Sequence, residues 1–156
     1  VLTEFEQRVM AMLKIHDLLH QTQNYTTVKL AEYIRELTDE FKHSFNQVKI
    51  ISEIKNVDLE LSSKDALHIG LAATEILLNS IKYGNQNESH FHISVTLKLE
   101  NEHVMLTIGN NGKSFDFDKK LKQQTLGLSI IKDLLENLTV KVKYPDKEHC
   151  CYEIVF

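Results

Sequence analysis

Three polar residues interrupt a strongly apolar stretch of the sequence at spacings that could serve chemistry. Glu75, Asn79 and Lys82 follow one another at steps of four and three, so on a helix they share one face. Asparagine in the middle of an apolar helix needs an explanation, because its helix propensity is poor and its amide requires hydrogen-bond partners. The three side chains are therefore either the solvent-facing stripe of an amphipathic helix or part of a site.

Two further polar segments each stand at the end of a predicted element. Asn110-Asn111-Gly112 follows a predicted strand, where Gly and Asn permit a positive φ and a close approach of the backbone to a ligand. Thr125-Leu126-Gly127-Leu128 opens a predicted helix, whose free N–H groups and dipole attract an anion. Taken alone, each segment is more simply explained as an ordinary connection.

Apolar periodicity predicts the elements that must position these side chains. Apolar residues recur at steps of three and four in four segments, which predicts helices over 2–21, 28–45, 66–83 and 128–138. A capping box at Ser62 and a terminal Gly84 mark the two ends of the third helix. Strand patterns predict a hairpin of 48–54 with 57–61, a hairpin of 91–99 with 104–108, and closing strands 139–144 and 151–156. The segment 109–124 is predicted to be a loop.

This order of elements predicts an α+β fold, a two-layer sandwich in which helices cover one face of a sheet. Hydrophobic residues make up 42% of the 156-residue chain, which is enough to bury such a core. The formal net charge of −4 argues against non-specific nucleic-acid binding, which needs a cationic surface. No apolar run approaches the ~18–20 residues that span a bilayer. The adjacent Cys150 and Cys151 rarely bridge each other, so a reducing cytoplasm is the expected location.

Together and in this order, the three polar segments resemble the nucleotide-binding boxes of the histidine kinase-like ATPase (GHKL) family. Glu75-xxx-Asn79-xx-Lys82-Tyr83 resembles the N box, Asn110-Asn111-Gly112 the G1 box, and Thr125-Leu126-Gly127-Leu128 the G2 box. Residues 8–12, 15–19 and 32–34 resemble the lead-in of the HisKA_2 subfamily, which is related to the HWE sensor histidine kinases. The resemblance implies the Bergerat-type ATP-binding fold, with a mixed, mainly antiparallel sheet after an N-terminal helical segment.

The resemblance also implies a role for each residue of the boxes. Asn79 would ligate a Mg²⁺ ion that bridges the phosphates of ATP, Lys82 would counter phosphate charge, and Glu75 would act as a base or orient a water molecule. Asn110 would accept the adenine amino group, and Gly112 would let the loop approach that base. The implied ATP-binding residues are Asn79, Lys82, Tyr83, Asn110, Gly112, Thr125, Leu126, Gly127 and Leu128.

The chain departs from the family pattern at three places. Asn110 stands where the family has Asp, Ser114 stands where it has a second G1 glycine, and Cys150-Cys151 replaces a Gly-Thr pair before the last strand. An Asn at position 110 can still accept the adenine amino group, or it can flip and match a guanine edge. These departures leave open a degenerate pseudo-kinase that binds a signalling partner with little ATP turnover.

The function expected from the resemblance is that of the ATP-binding catalytic part of a two-component sensor histidine kinase. Residues 1–24 would be the end of a dimerisation and linker helix, and residues 25–156 the ATP-binding domain. The γ-phosphoryl group would pass to a histidine outside this chain, and a response regulator would be the next partner. A homodimer through the N-terminal helix is a further expectation. An anti-sigma-type serine kinase is an alternative, because the 79–85 stretch also fits that group.

Overall fold

The computed structural model describes residues 2–21, 26–84, 89–123 and 126–156, and its helices and strands form an α+β sandwich. The helices in these ranges are α1 (Leu2–Gln21), α2 (Leu30–Ser44), α3 (Ser63–Tyr83), α4 (Phe117–Leu121) and α5 (Leu126–Glu136). The strands are β1 (Thr27–Lys29), β2 (Ile50–Ile54), β3 (Glu60–Ser62), β4 (Ile93–Glu100), β5 (His103–Asn110), β6 (Lys141–Lys143) and β7 (Cys151–Val155).

The main sheet has five strands in the order β2-β4-β5-β7-β6. Strand β2 pairs with β4 in parallel, and the other three pairings are antiparallel. This arrangement confirms the predicted α+β class with a mixed, mainly antiparallel sheet. Two of these pairings, β4 with β5 and β6 with β7, join consecutive strands, whereas β2 with β4 and β5 with β7 join strands that are distant in sequence.

The predicted hairpin of 48–54 with 57–61 is wrong. Strand β2 lies beside β4, with Ile50 opposite Ile93, and β3 instead pairs with β1, with Leu61 opposite Val28. The physical reason is burial, because Ile50 gains a place against the fully buried Ile93. A two-stranded hairpin on its own is only marginally stable. The pairing of β1 with β3 also moves the start of α2 to Leu30, two residues after its predicted start.

The core lies between the sheet and helices α2, α3 and α5. Alternate residues of β4 point into it, namely Ile93, Val95 and Leu97, each at most 1% exposed. Burying an aliphatic side chain of this size contributes roughly 1.5–3 kcal/mol. Helix α3 is buried on most sides, as its apolar sequence predicts. Three of its polar side chains, those of Thr74, Glu75 and Ser80, are therefore buried, each at most 6% exposed.

Both ends of α3 carry the predicted signals. Ser62 is the N-cap, and its hydroxyl accepts a hydrogen bond from the Asp65 N–H at 3.1 Å. The helix ends at Gly84, whose N–H donates to the Ser80 carbonyl at 2.9 Å. Gly84 has an extended backbone, and a Cβ there would collide with the Phe91 ring. This glycine is thus required by close packing rather than by a left-handed conformation.

The predicted loop over 109–124 contains more structure than expected. Its first two residues complete β5, and α4 forms within it behind an Asp116 cap. Phe117 anchors this short helix, because its ring stacks on Tyr144 with centroids 4.4 Å apart and meets Tyr152 edge-on. An aromatic residue inside a polar segment was the signal for this buried contact.

Helix α1 packs on the rest of the chain through a second, smaller core. Ile15 and Leu18 join Val28, Tyr33 and Ala66 in that cluster. The Tyr33 hydroxyl crosses to α1 and donates to the Ala11 carbonyl at 3.0 Å. Burial raises the pKa of Tyr33, so the hydroxyl remains a donor. Helix α1 is therefore docked against the part of the chain that follows it.

Candidate functional site

The polar face of α3 is only partly a solvent-facing stripe. Glu75 is 4% exposed, Asn79 is half-buried, and Lys82 is exposed. The shared helical face predicted from spacing therefore runs from the core to the surface. A charged side chain is rarely buried without a partner, so Glu75 must be compensated.

Arg8 of α1 is the partner of Glu75. Its Nε donates to Oε1, and its Nη2 donates to Oε2 at 3.0 Å. The hydrogen bond to Glu75 raises the pKa of Arg8. The two residues are 67 positions apart in the chain, so sequence spacing gave no signal for the contact. The pair joins the first helix directly to the helix that carries the N box.

Lys82 also faces α1. Its Nζ lies 3.6 Å from Oε1 of Glu4 and 5.5 Å from the centre of the Tyr83 ring. Tyr83 itself is 69% exposed. Exposed ion pairs of this kind are weak, so Lys82 can exchange Glu4 for another anion at small cost.

Asn79 faces the beginning of α5. A Cβ placed on Gly127 would lie 3.4 Å from Asn79 Nδ2 and 3.5 Å from Oδ1. The absence of a side chain at 127 therefore leaves room beside the Asn79 amide. Next to Gly127, Leu128 is buried and fixes the helix, whereas Leu126 is exposed. Thr125, the first residue of the predicted G2 box, lies outside the described residues.

Asn110 is the last residue of β5, and its side chain contacts Ser80, the residue that follows Asn79 on α3. Its Oδ1 accepts the Gly112 N–H at 2.9 Å, and its Nδ2 donates to Ser80 Oγ at 3.2 Å. Asn111 fixes the other side of the turn, because its amide bonds the His92 N–H at 2.7 Å and the His90 carbonyl at 2.8 Å. The two asparagines thus hold the turn from both sides.

Glycines in this turn permit a positive φ, but none of the described glycines has one. Gly109 is needed instead for close approach, because a Cβ there would meet Cys151 Sγ and the Cys150 carbonyl. The strand pairing of Gly109 with Cys151 explains why a side chain cannot fit.

Two of the residues that depart from the family pattern fasten this turn to the segment before β7. The Ser114 hydroxyl donates to the Lys147 carbonyl at 2.6 Å, and Cys150 Sγ donates to the Gly112 carbonyl at 3.3 Å. Burial raises the pKa of the Cys150 thiol, so it remains a neutral donor. At these two positions, where the family pattern has glycines, side-chain hydrogen bonds of Ser114 and Cys150 therefore restrict the backbone.

The three predicted boxes meet around α3. Asn79 lies beside Gly127, the next residue Ser80 contacts Asn110, and Asn110 holds Gly112. Within the described ranges no group of three or more His, Cys, Asp or Glu residues is placed to hold a metal ion. The Asn79 carbonyl oxygen is of the hard type that Mg²⁺ prefers, and one such protein oxygen is sufficient when phosphates and water complete the coordination. The arrangement suits a phosphate-bound cation.

Comparison with protein families gives two matches. The model described as histidine kinase-like ATPase domain matches residues 36–149, which is most of the chain. The model described as histidine kinase matches residues 1–45. Comparison with curated protein sequences gives no match.

Solved structures of histidine kinases share the fold. The histidine kinase domain of the Erythrobacter litoralis EL346 blue-light activated histidine kinase has a TM-score of 0.75 at 18% identity, over 98% of this chain and 74% of that one. The Acinetobacter baumannii histidine kinase AdeS has a TM-score of 0.62 at 12% identity, over 95% and 75%. The catalytic domain of histidine kinase ThkA has a TM-score of 0.64 at 20% identity, over 84% and 94%.

A longer EL346 structure matches at 16% identity and a TM-score of 0.75, and this chain spans 46% of it. Helices long and apolar enough to cross a bilayer do not occur among the described residues.

Proposed function

We propose that this chain, which belongs to the histidine kinase-like ATPase domain family, binds Mg²⁺-ATP and is the catalytic part of a sensor histidine kinase. The γ-phosphoryl group passes to a histidine on a segment outside this chain. A response regulator is the proposed next partner, and the cytoplasm is the proposed compartment, in keeping with the neighbouring free thiols Cys150 and Cys151.

The observation that supports this proposal best is the convergence of three segments that are distant in sequence. Asn79 on α3, the turn at Asn110 after β5, and Gly127 at the start of α5 lie around one place in the fold. A nucleotide needs contacts to its base, to its phosphates and to the cation that the phosphates bind. The turn at Asn110 would contact the base, the start of α5 the phosphates, and Asn79 the cation.

Each side chain has a role that its position allows. Asn79 would hold Mg²⁺, which supplies charge neutralisation on the phosphates. Lys82 is exposed and would turn from Glu4 to a phosphate oxygen. Asn110 would accept the adenine amino group through a free lone pair of Oδ1, since a carbonyl oxygen has two. The N-terminus of α5 would face phosphate through its free N–H groups.

Glu75 would accept the proton that the acceptor imidazole loses when its nitrogen bonds phosphorus. Its two oxygens are both held by Arg8, and each carboxylate oxygen has a second lone pair that can accept. The ion pair therefore fixes the Glu75 side chain and still leaves lone pairs on its oxygens that can accept a proton.

Nucleotide binding is tested by titrating the protein with Mg²⁺-ATP in a calorimeter, with Asn79→Ala as the variant. We expect binding that weakens at least tenfold in Asn79→Ala when Mg²⁺ is present, and much less when it is chelated. No heat at millimolar nucleotide would refute the kinase, and equal affinities would refute the role of Asn79. Asn137→Ala, at the exposed residue directly after α5, is the control.

Phosphoryl transfer is tested with labelled ATP and a histidine-bearing acceptor helix supplied separately. Label that is lost in acid marks phosphohistidine and supports the proposal. Acid-stable label would instead mark phosphoserine and support the anti-sigma-type alternative.

A further inference from the structure

Ser80 is a buried hydroxyl that neither the N box nor the G1 box explains. It is 6% exposed and follows Asn79 directly on α3. Its Oγ lies 3.2 Å from Asn110 Nδ2, in a contact between residues 30 positions apart. Because the Ser80 hydroxyl accepts a hydrogen bond from the amino group of the Asn110 side chain, it restricts the orientation of that amide.

The hydrogen bonds around Asn110 define which end of its amide faces which neighbour. The Gly112 N–H can only donate, so the atom 2.9 Å from it must be the carbonyl oxygen Oδ1. The amino group then faces Ser80 Oγ. Flipping the amide would bring two donors together at Gly112 and would lose that bond.

This orientation bears on which base the site accepts. A free Asn amide is ambivalent, because its oxygen matches an amino group and its nitrogen matches a carbonyl group. Adenine presents an amino group where guanine presents a carbonyl oxygen. When Oδ1 is fixed, its second lone pair can accept a hydrogen bond from the adenine amino group, but it repels the carbonyl oxygen of guanine. An amide that flips freely would bind either base.

We infer that Ser80 is a positioning residue for base selection, which holds the Asn110 amide in the orientation that favours an adenine over a guanine nucleotide. The inference rests on the proposed nucleotide-binding function and adds a residue that determines the base preference of that site. Each hydrogen bond that fixes the amide shifts the flip equilibrium by roughly two- to tenfold. Removing the Ser80 hydroxyl removes one of the two.

The test compares ATP and GTP binding by calorimetry in the wild type, Ser80→Ala, Ser80→Thr and Ser44→Ala. We expect the wild type to prefer ATP, and Ser80→Ala to narrow that preference by about two- to tenfold. Ser80→Thr keeps a hydroxyl and should retain most of the preference. Ser44 is an exposed serine on α2 whose hydroxyl donates to Glu40 at 3.3 Å, so Ser44→Ala should leave the ratio unchanged.

A second measurement does not depend on any nucleotide. Exchange of the Asn110 side-chain amide hydrogens, followed by NMR on the whole chain, should be slowed in the wild type and faster in Ser80→Ala. The remaining resonances show that the variant is folded. A mere loss of stability would speed exchange throughout the chain and would leave the ATP-to-GTP ratio unchanged.

The possible results distinguish a failure of the role inferred for Ser80 from a failure of the proposed nucleotide binding. Nucleotide binding with an unchanged ratio in Ser80→Ala would overturn the role of Ser80, and so would unchanged amide exchange. If neither ATP nor GTP binds any form of the protein, the proposed function fails and base selection fails with it. Faster amide exchange in that case would show that the Ser80 contact exists but serves the fold alone.

Discussion

At the scale of single residues, Asn110 has a dense set of contacts for a position that departs from its family pattern. Its oxygen serves the Gly112 N–H and its nitrogen serves Ser80. The sequence predicted this residue in a loop shortly after a strand, whereas it is the last residue of β5. It did not indicate Ser80 as the partner, because a contact across 30 positions depends on how β5 packs against α3.

The substitution Asn110→Asp tests whether the amide weakens adenine binding. A carboxylate accepts from Gly112, from the Ser80 hydroxyl and from the adenine amino group with charge assistance, which adds about 1 kcal/mol. We therefore expect ATP affinity to rise roughly fivefold and GTP affinity to fall. Calorimetry with both nucleotides gives the result. Weaker ATP binding in the variant would show that this chain is adapted to an amide at 110.

Gly127 offers a test in which stability and binding should move in opposite directions. Its φ is not positive, and a Cβ there would make ordinary contact with the Asn79 amide. Gly127→Ala should therefore stabilise α5 by about 0.5 kcal/mol while filling the room beside Asn79. We expect a slightly higher melting temperature together with at least tenfold weaker Mg²⁺-ATP binding.

The matched control for Gly127→Ala is Ser129→Ala, two residues further along the same helix. The Ser129 hydroxyl donates a hydrogen bond to the Leu126 carbonyl at 2.8 Å within its own helix. It should leave nucleotide affinity unchanged. A Gly127→Ala protein that melts lower and binds normally would show that the glycine serves packing and not the site.

At the scale of elements, the helices were predicted more accurately than the strand pairings. The periodicity of α1 and α3 and the Ser62 cap are properties of local sequence, and the structure reproduces them. The partner of a strand is a long-range choice, since β2 could pair with its neighbour or with β4. Burial of Ile50 against Ile93 decided that choice, and no spacing in the sequence encodes it.

The contact between α1 and α3 is an element-scale feature with a measurable strength. Arg8 is about one-third exposed in its side chain and Glu75 is buried, so removing one partner leaves a charge that the interior disfavours. We expect Arg8→Gln and Glu75→Gln each to lower the free energy of unfolding by about 1–3 kcal/mol. The double substitution should cost less than the sum of the two.

Urea unfolding of the four forms gives this double-mutant cycle. Lys132→Gln, which removes an exposed pair with Glu136 on α5, is the control and should change stability by less than about 0.5 kcal/mol. Strict additivity of Arg8→Gln and Glu75→Gln would contradict a direct interaction. Coupling between them would show that the first helix is tied energetically to the N-box helix.

At the scale of the whole molecule, one face of the first helix is left uncovered. The inner side of α1 is buried by Ile15 and Leu18, whereas Phe5, Met12 and Leu13 are 62%, 47% and 48% exposed. Positions 5 and 12 are seven residues apart, so they lie one above the other on the helix. Large apolar side chains aligned on an exposed helix face mark an association surface more often than an isolated exposed one does.

We therefore predict that the molecule forms a homodimer through α1. Equilibrium sedimentation over a range of concentrations should show a monomer–dimer equilibrium for the wild type. Phe5→Ser combined with Met12→Ser should shift it to monomer, because it removes the apolar area that association would bury. Leu99→Ser removes an equally exposed apolar side chain at the far end of β4 and should leave the dimer intact. A wild type that stays monomeric at every concentration, or a Leu99→Ser effect equal to that of the α1 variant, would contradict a dimer built on this helix.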